Sequence, residues 1–340
     1  MTSLAIQTAF LGDVVLTTPL LRVLAQRHGP VDVVTTPTAA PLLETHPAVR
    51  AVIRYDKRGA DAGARGFLAL ARRLRGAQYE VAYVPHRSLR SALLARFAQI
   101  PRRVGYASGW PFLYTESRRR PVDAHEVDRL LALVDAPDAD RRPSLTVTAA
   151  DASAAGRVLE AGGVAGRFVA LAPGSIWGTK RWPGFPALAA RIAGAGDGIV
   201  VVGGPDDRAL GDEIVRAVAS ATPTPRSAVI NSCGTLSLRE SAALIGRARI
   251  LVTNDSAPLH LAQALGTPTV ALFGPTVPAF GFAPINPGDA ALGVDGLACR
   301  PCSKHGPARC PLGHHRCMTE LTVEQVVATI EETGAIHRRD

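Results

Sequence analysis

The sequence has no long apolar run, few aromatic residues and few cysteines. No hydrophobic segment reaches the roughly 18 residues that a membrane-spanning helix needs, and the first residues show neither the basic leader nor the cleavage site of a secretory signal. Aromatic residues make up 5% of the 340 residues, which provides no obvious platform for stacking nucleic-acid bases. These absences predict a cytoplasmic protein that neither spans a membrane nor binds nucleic acid.

Cysteine is scarce outside one segment. Four of the five cysteines lie between residues 299 and 317, a distribution that would make a poor disulfide framework for so long a chain. This usage favours a reducing compartment.

The chain contains enough apolar sequence for two cores. Hydrophobic residues make up 47% and charged residues 20% of a length that suits two domains. In both halves short β-like runs alternate with helical patterns, which is typical of βαβ units and parallel sheets. An Asp-, Pro- and Ala-rich stretch at residues 135–156 is predicted to be the connection that crosses from the first domain to the second. We therefore predict an α/β protein with two Rossmann-like domains, residues 1–150 and 151–340, whose ligands bind at the carboxyl ends of the strands.

Basic residues are concentrated in the first half of the chain. Residues 1–150 hold 21 Lys and Arg against 13 Asp and Glu, whereas residues 151–340 hold 17 against 16. Such an excess is typical of an anionic partner, which can be a membrane surface, a phosphorylated substrate or nucleic acid, and the low aromatic content argues against nucleic acid. The same arginines are also compatible with nothing more than solvated helices, because no basic run reaches the length of a basic tail.

The stretch NDSAPLHLAQALG places polar side chains directly after an apolar strand. Asp255 and Ser256 stand where the strand ends and a helix begins, and His260 follows within about one turn. One interpretation is a helix cap alone, with Pro258 in the first turn. The other is a ligand site, since the free N–H groups and positive dipole of a helix N-terminus attract anions and hydroxyl groups. The turn FGPT ends the next strand and should stand beside it.

The stretch APGSIWGTKRWP also ends a strand, with glycines, hydroxyls and basic residues. Its spacing fails the P-loop pattern, which excludes a P-loop kinase or ATPase. Its chemistry still suits a diphosphate, with Ser175, Thr179 and backbone N–H groups for the oxygens and Lys180 as a point charge. No G-x-G-x-x-G fingerprint follows the first strand, which argues against a nicotinamide dehydrogenase.

Near the N-terminus, FLGDVVLTTPLL places Gly12 and Asp13 between a strand and a helix. Glycine lets another molecule approach the backbone closely. The local sequence leaves two interpretations of Asp13 open: an N-capping carboxylate, or a general base that accepts a proton from a substrate hydroxyl.

Five segments taken together resemble glycosyltransferase family 9, the heptosyltransferases of lipopolysaccharide core synthesis. They follow the family's order and spacing over nearly the whole chain, and the cysteine-rich one resembles the enzymes that add the second heptose more than those that add the first. The segments are FLGDVVLTTPLLR, HRSLRSALLA, APGSIWGTKRWP, NDSAPLHLAQALGTPTVALFGPT and CRPCSKHGPARCPLGHHRCM.

This resemblance implies an inverting, metal-independent enzyme of the GT-B fold, with two Rossmann-like domains facing a central cleft. The C-terminal domain would bind ADP-L-glycero-β-D-manno-heptose. The N-terminal domain would bind the anionic Kdo–lipid A core at the inner-membrane surface, so the protein would be peripheral to that membrane. No cofactor would be required for catalysis.

Matching positions then have implied roles. Asp13 matches the family's proposed general base, with Gly12 beside it on the acceptor side. Arg87 and Arg90 match an acceptor-side segment and would meet Kdo carboxylates or core phosphates. The positions that match the donor side are Ser175, Thr179, Lys180, Asp255, Ser256, His260 and Gly274.

The cysteine-rich segment has two possible roles. Cys299, Cys302, Cys310 and Cys317 follow the spacing C-x2-C-x7-C-x6-C, which suggests a structural tetrathiolate site for zinc or iron. The alternative is a reduced, packed loop, since the implied reaction needs no metal.

Two other functions are open at this point. A related family 9 enzyme would glycosylate a protein or another envelope glycan. A sugar-nucleotide sensor would bind the donor without turnover, although a pure sensor needs no base such as Asp13.

Overall fold

The computed structural model describes residues 2–221 and 228–336. The chain divides into an N-terminal unit, Met1–Thr146, and a C-terminal unit, Val147–Asp340. The predicted boundary after residue 150 lies inside a helix that begins at Ala149. Thr148 caps this helix by accepting a hydrogen bond from the Asp151 amide, and the Asp151 carboxylate accepts one from the Thr148 amide. The division between residues 146 and 147 falls inside the stretch 135–156 that was predicted as the crossing, and the Ala-rich end of that stretch belongs to the second unit.

The N-terminal unit is one parallel sheet with helices. Its strands are β1 (Ser3–Ile6), β2 (Val31–Thr35), β3 (Val49–Arg54), β4 (Val81–Tyr83), β5 (Arg102–Tyr106) and β6 (Glu116–Arg118). Its helices are α1 (Leu11–Leu16), α2 (Thr18–His28), α3 (Ala40–Leu43), α4 (Gly63–Gly76), α5 (Leu89–Phe97) and α6 (Glu126–Leu133), with a 3-10 turn at Pro111–Leu113.

The C-terminal unit repeats this plan. Its strands are β7 (Phe168–Ala172), β8 (Gly198–Val201), β9 (Val229–Asn231), β10 (Ile250–Asn254), β11 (Thr269–Leu272) and β12 (Ala290–Leu292). Its helices are α7 (Ala149–Ala161), α8 (Phe185–Ala195), α9 (Arg208–Ala221), α10 (Leu238–Ile245), α11 (Ala257–Leu265), α12 (Arg316–Thr319) and α13 (Val323–Ile336), with 3-10 turns at Gly178–Lys180, Pro205–Asp207 and Pro278–Phe280.

Both sheets have the same strand order. The first is ordered β3-β2-β1-β4-β5-β6 and the second β9-β8-β7-β10-β11-β12, with every pair parallel. Central strands such as β1 and β10 are buried along their whole length, because helices cover both faces of such sheets. In each sheet the order reverses between the first and fourth strands, which is where doubly wound folds bind ligands. These two places are called here the N-terminal and C-terminal switch points.

No helix in residues 2–221 and 228–336 has the length and apolar composition needed to cross a membrane.

Candidate active site

The C-terminal switch point brings three turns together. One follows β7 (residues 173–181), one follows β10 (residues 255–256) and one follows β11 (residues 273–276). Because β10 pairs with both β7 and β11, the three turns leave adjacent strands at the same edge of the sheet. Residues 173–181 form the lysine turn, and residues 273–276 form the threonine turn.

An ion pair joins the lysine turn to β10. The Lys180 ammonium lies 2.6 Å from Asp255 Oδ2 and donates a second hydrogen bond to the Asp255 carbonyl at 3.1 Å. The Thr276 hydroxyl of the threonine turn donates to the same Oδ2 at 2.6 Å. The Lys180 and Asp255 side chains are only 10% and 11% exposed, so water screens the pair little. Asp255 thus fixes a buried cation and a hydroxyl in one place.

His260 lies beside this ion pair. Its ring is buried, and burial lowers the pKa of His260, so the imidazole is neutral near pH 7. Gln263 donates to the Ala283 carbonyl through Nε2, which leaves its Oε1 to accept from His260 Nδ1 at 3.0 Å. Nε2 of His260 is then the ring's acceptor nitrogen. The charges of Asp255 and Lys180 both act on the ring, so this predicted residue does join the cluster.

Ser256 is the N-cap residue of α11, with Pro258 in the first turn. Its side chain makes no capping hydrogen bond, and within the described chain its buried Oγ has no hydrogen-bond partner. The cap interpretation therefore does not account for this hydroxyl. A buried hydroxyl without a partner is costly, and a ligand at the helix N-terminus would relieve that cost.

The remaining predicted residues of this unit line the turns in different ways. The Ser175 hydroxyl accepts from the Trp177 amide at 3.3 Å and stays within its own turn. The Thr179 hydroxyl donates to the Pro307 carbonyl at 2.5 Å. Gly274 is buried, and a Cβ there would lie 2.7 Å from the Met318 side chain. Thr179 and Gly274 are thus fixed by contacts with later parts of the chain.

Asp13 lies at the N-terminal switch point, in the first turn of α1. Its Oδ2 accepts a hydrogen bond from the Phe10 amide at 3.2 Å. Phe10 is the N-cap residue of α1, so Asp13 lies inside the helix and is not the N-cap that the sequence suggested. Burial, reinforced by the negative charge of Glu126, nevertheless raises the pKa of Asp13 to about 7, against the opposing effects of the Phe10 amide and Arg120. Gly12 precedes it and is buried. The hydrogen bond to the Phe10 amide occupies one carboxylate oxygen, Oδ2, and is compatible with the base interpretation.

A hydrogen-bonded chain of polar groups lies at the same edge of the N-terminal sheet. Lys57 donates to the Thr8 carbonyl at 2.6 Å, the Thr8 and Ser91 hydroxyls lie 3.4 Å apart, and Ser91 Oγ lies 3.0 Å from His86 Nε2. Burial, and then the charge of Lys57, lower the pKa of His86 to about 4. The imidazole is therefore neutral, and among these hydrogen-bonded groups Lys57 carries the positive charge.

Of the two predicted acceptor-side arginines, one is held by hydrogen bonds and the other is exposed. Arg90 is held by the Tyr55 hydroxyl at 2.6 Å and the Gly63 carbonyl at 3.2 Å, and its guanidinium lies 5.4 Å from the centre of the Tyr55 ring. Arg87 is exposed. Arg87 is therefore available to a ligand, whereas Arg90 mainly orders its own neighbourhood.

The four clustered cysteines differ from one another. Cys317 is buried, which raises the pKa of its thiol to about 11, whereas hydrogen bonds from the backbone of residues 312–315 lower the pKa of Cys310. Cys302 donates to the Cys299 carbonyl at 3.3 Å. Across residues 2–221 and 228–336, no three His, Cys, Asp or Glu side chains are arranged to hold a metal ion. The side chains as placed do not form a ligand set, and the metal site stays a prediction from spacing.

The chain is similar in sequence to enzymes of one family. Residues 67–311 match the model of glycosyltransferase family 9 (heptosyltransferase). Lipopolysaccharide heptosyltransferase 2 of Salmonella typhimurium is 30% identical over 297 residues, covering 82% of this chain and 84% of that protein. Lipooligosaccharide heptosyltransferase 2 of Haemophilus influenzae is 28% identical over 354 residues, covering 98% and 99% of the two chains.

Solved structures show the same fold. The family 9 glycosyltransferase of Veillonella parvula superposes with a TM-score of 0.85 at 24% identity, over 98% of this chain and 97% of that one. The Escherichia coli ADP-heptose lipopolysaccharide heptosyltransferase II superposes with a TM-score of 0.80 at 25% identity, over 99% and 100%. The predicted GT-B fold is confirmed, and the family match together with the sequence relatives makes the protein a glycosyltransferase. This chain belongs to glycosyltransferase family 9 (heptosyltransferase).

Sequence reasoning missed several groups that the site depends on. Thr276 stood in the quoted FGPT turn, but its bond to Asp255 was not foreseen. Glu126 and Arg120, which act on Asp13, gave no local signal. Arg300 was also missed, although it lies inside the cysteine motif and binds the threonine turn. In each case the partner is distant in sequence.

Proposed function

We propose that this protein transfers L-glycero-D-manno-heptose from ADP-heptose to the lipopolysaccharide inner core, with inversion at the anomeric carbon. The acceptor in this proposal is heptosyl-Kdo2-lipid A, in keeping with the heptosyltransferase 2 relatives. The observation that carries the proposal is the buried Lys180 ammonium at the C-terminal switch point. A cation held there by Asp255, beside the N-terminus of α11, suits the diphosphate of a sugar nucleotide.

On the donor side, the charge that develops on the leaving diphosphate needs fixed positive partners. Two hydrogen bonds hold Lys180 to Asp255, so the ammonium has no need to reorganise during the reaction. The amides of the first turn of α11 and the Ser256 hydroxyl would also donate hydrogen bonds to the diphosphate. His260 Nε2, an acceptor, would bind a hydroxyl of the sugar. In this proposal Thr179 and Gly274 shape the turns.

On the acceptor side, Asp13 is the proposed general base. A carboxyl with a pKa of about 7 is deprotonated in part at neutral pH and is a far stronger base than an ordinary aspartate. It would accept the proton of the acceptor hydroxyl as that oxygen attacks the anomeric carbon and the bond to ADP breaks. A single displacement of this kind inverts the configuration.

The basic N-terminal unit is the proposed contact for the anionic glycolipid and the inner-membrane surface. Arg65, Arg72 and Arg73 of α4 are exposed, and Leu68 of the same helix and Phe97 of α5 are 36% and 52% exposed. Phe97 stacks edge-on against Phe67, which links the two helices. Basic groups interleaved with exposed apolar side chains suit an anionic bilayer. In this proposal the protein is cytoplasmic and peripheral, and Arg87 meets acceptor carboxylates or phosphates.

The proposal assigns no catalytic step to a metal, because Lys180 and backbone amides supply the positive charge. Turnover should therefore survive chelation by EDTA. If the cysteines hold a structural ion, metal analysis of the purified protein will find zinc or iron in stoichiometric amount, and its absence would end that prediction.

The deciding experiment measures ADP release by purified protein from ADP-heptose with either Kdo2-lipid A or its mono-heptosylated form. Release with the mono-heptosylated acceptor alone is expected, with the anomeric configuration of the product read by NMR. Release with Kdo2-lipid A would instead make this an enzyme for the first heptose. Binding of ADP-heptose without release on either acceptor would contradict the proposed acceptor and direct the search to protein or other glycan acceptors.

A further inference from the structure

The cysteine-rich segment, residues 299–317, contacts both turns that meet at Asp255. We propose that it is a brace that holds the lysine turn and the threonine turn in one arrangement, with Arg300 as the main positioning residue. The effect on donor binding rests on the function proposed above, whereas the bracing itself does not.

Arg300 binds the threonine turn through its backbone. Its guanidinium donates to the carbonyls of Phe273 at 2.9 Å, Gly274 at 2.8 Å and Thr276 at 3.3 Å, and also to Val294 at 2.7 Å. The side chain is 8% exposed. Four carbonyl acceptors around one buried guanidinium fix the path of the turn that carries the Thr276 hydroxyl. The Cys302 amide adds a bond to the Pro275 carbonyl at 2.9 Å.

Other residues of the segment bind the lysine turn. The Pro307 carbonyl accepts from the Thr179 hydroxyl at 2.5 Å, and His315 Nε2 donates to the Thr179 carbonyl at 2.8 Å. The Trp177 and His305 rings stack with their centres 6.1 Å apart and their planes 17° apart. Thr179, one residue before Lys180, is therefore held through both its hydroxyl and its carbonyl.

Gly306 lies where the two turns meet. Its φ is +79°, and a Cβ there would lie 2.9 Å from Pro275 Cγ and 3.1 Å from Thr179 Oγ1. One residue of the segment thus touches the threonine turn and the lysine turn at once. The brace is therefore one continuous contact, and a disturbance at either end should reach both Lys180 and Thr276.

Lysine cannot replace Arg300 in this role. The guanidinium is a planar fork with five fixed N–H donors, whereas an ammonium is a point charge with three donors. Arg300→Lys keeps the charge and loses the simultaneous hold on Phe273, Gly274 and Thr276. Arg103 offers a matched control, because its guanidinium also donates to three backbone carbonyls, those of Ile100, Pro101 and Leu113, but in the other unit.

The first measurement is donor affinity, with ADP as the binding probe and ADP-heptose as substrate. For Arg300→Lys we expect the ADP Kd and the KM for ADP-heptose to rise roughly 10- to 100-fold, while kcat falls by a smaller factor. Arg103→Lys should leave both constants near wild type. A loss confined to kcat, with the Kd for ADP unchanged, would reduce Arg300 to a structural residue and overturn the proposal.

The second measurement is amide hydrogen exchange, which needs no donor. Faster exchange in both the lysine turn and the threonine turn is expected for Arg300→Lys, and for His315→Leu if Arg300→Lys does not fold; Arg103→Lys should change neither. Exchange that is unchanged, or faster in one turn only, would overturn the brace. If the wild type binds no ADP but exchange rises in both turns, the brace stands and the proposed function fails.

Discussion

The two units share one strand order, yet their switch points carry opposite chemistry. In the C-terminal unit a buried cation, Lys180, is held by Asp255 at 2.6 Å. In the N-terminal unit a carboxyl, Asp13, has no ion-pair partner within 4 Å among residues 2–221 and 228–336, and burial raises its pKa to about 7. The same topology thus presents a fixed charge in one unit and a titrating group in the other.

This difference shows what the fold provides and what it leaves to individual side chains. A doubly wound sheet provides the place where turns converge, and the residues in those turns decide the chemistry. Pairing Lys180 with Asp255 holds the ammonium in one place, which suits electrostatic stabilisation. Leaving Asp13 half-buried and without an ion-pair partner brings its pKa to about 7, which suits proton transfer. Four predictions test this contrast.

The largest effect is expected at Asp13. Asp13→Asn keeps the shape of the side chain and removes its ability to accept a proton, so turnover of ADP-heptose should fall about 10²- to 10⁴-fold, with the Kd for ADP unchanged. Asp138→Asn is the control, because Asp138 is exposed in the same unit. A folded Asp13→Asn protein with near-wild-type turnover would show that Asp13 only accepts the Phe10 hydrogen bond at the start of α1.

At the other switch point, the ion pair should matter for stability as well as for binding. Lys180→Met leaves Asp255 buried with only the Thr276 hydroxyl and should cost about 3–5 kcal/mol of unfolding free energy. The double variant Lys180→Met/Asp255→Asn removes the orphaned charge and should recover much of that stability without recovering ADP binding. Denaturant unfolding and calorimetric titration with ADP separate the two effects. If the double variant also binds ADP normally, Lys180 has only a structural role.

The sequence predicted the fold where burial left a plain pattern. β1 and β10 lie inside sheets and read as apolar runs for that reason. β5 and β6 give a weaker pattern, because β5 begins with Arg102, which binds Glu116 of the three-residue edge strand β6. The edge strand β12 has three residues and is only partly buried. Short strands at an edge need few apolar residues, so they give little periodicity to detect.

For the site, sequence position predicted where polar groups cluster but not how they pair. Asp255 and Lys180 each follow a strand, which local pattern detects, but their ion pair spans 75 residues. Arg300 looked like one more residue of a cysteine motif, although its bonds reach the turn after β11. Glu126 begins a helix, an ordinary place for an acid. Each of these contacts depends on which strands are neighbours, and no local pattern in one sequence contains that information.

The smallest expected effect concerns the group that tunes Asp13. The Glu126 carboxylate lies between Arg120 at 2.5 Å and Arg129 at 3.1 Å, and its negative charge raises the pKa of Asp13. Glu126→Gln removes that charge, so the pKa of Asp13 should fall below about 7. The rising limb of kcat/KM against pH should then move to lower pH. Asp128→Asn on the same helix is the control, since Asp128 pairs with Arg141.

The pH dependence of stability gives an independent check on the direction of the Asp13 pKa shift. The pKa of Asp13 in the folded state, about 7, exceeds its ordinary value of 3.8, so the folded protein binds this proton more tightly than the unfolded chain. The stability that the protonated carboxyl provides is complete below about pH 4 and is lost as pH rises through about 7. Asp13→Asn should therefore raise the Tm relative to wild type more at about pH 8 than at about pH 5. A Tm difference that does not change with pH would mean that Asp13 titrates normally, and the contrast between the two switch points would then rest on Lys180 alone.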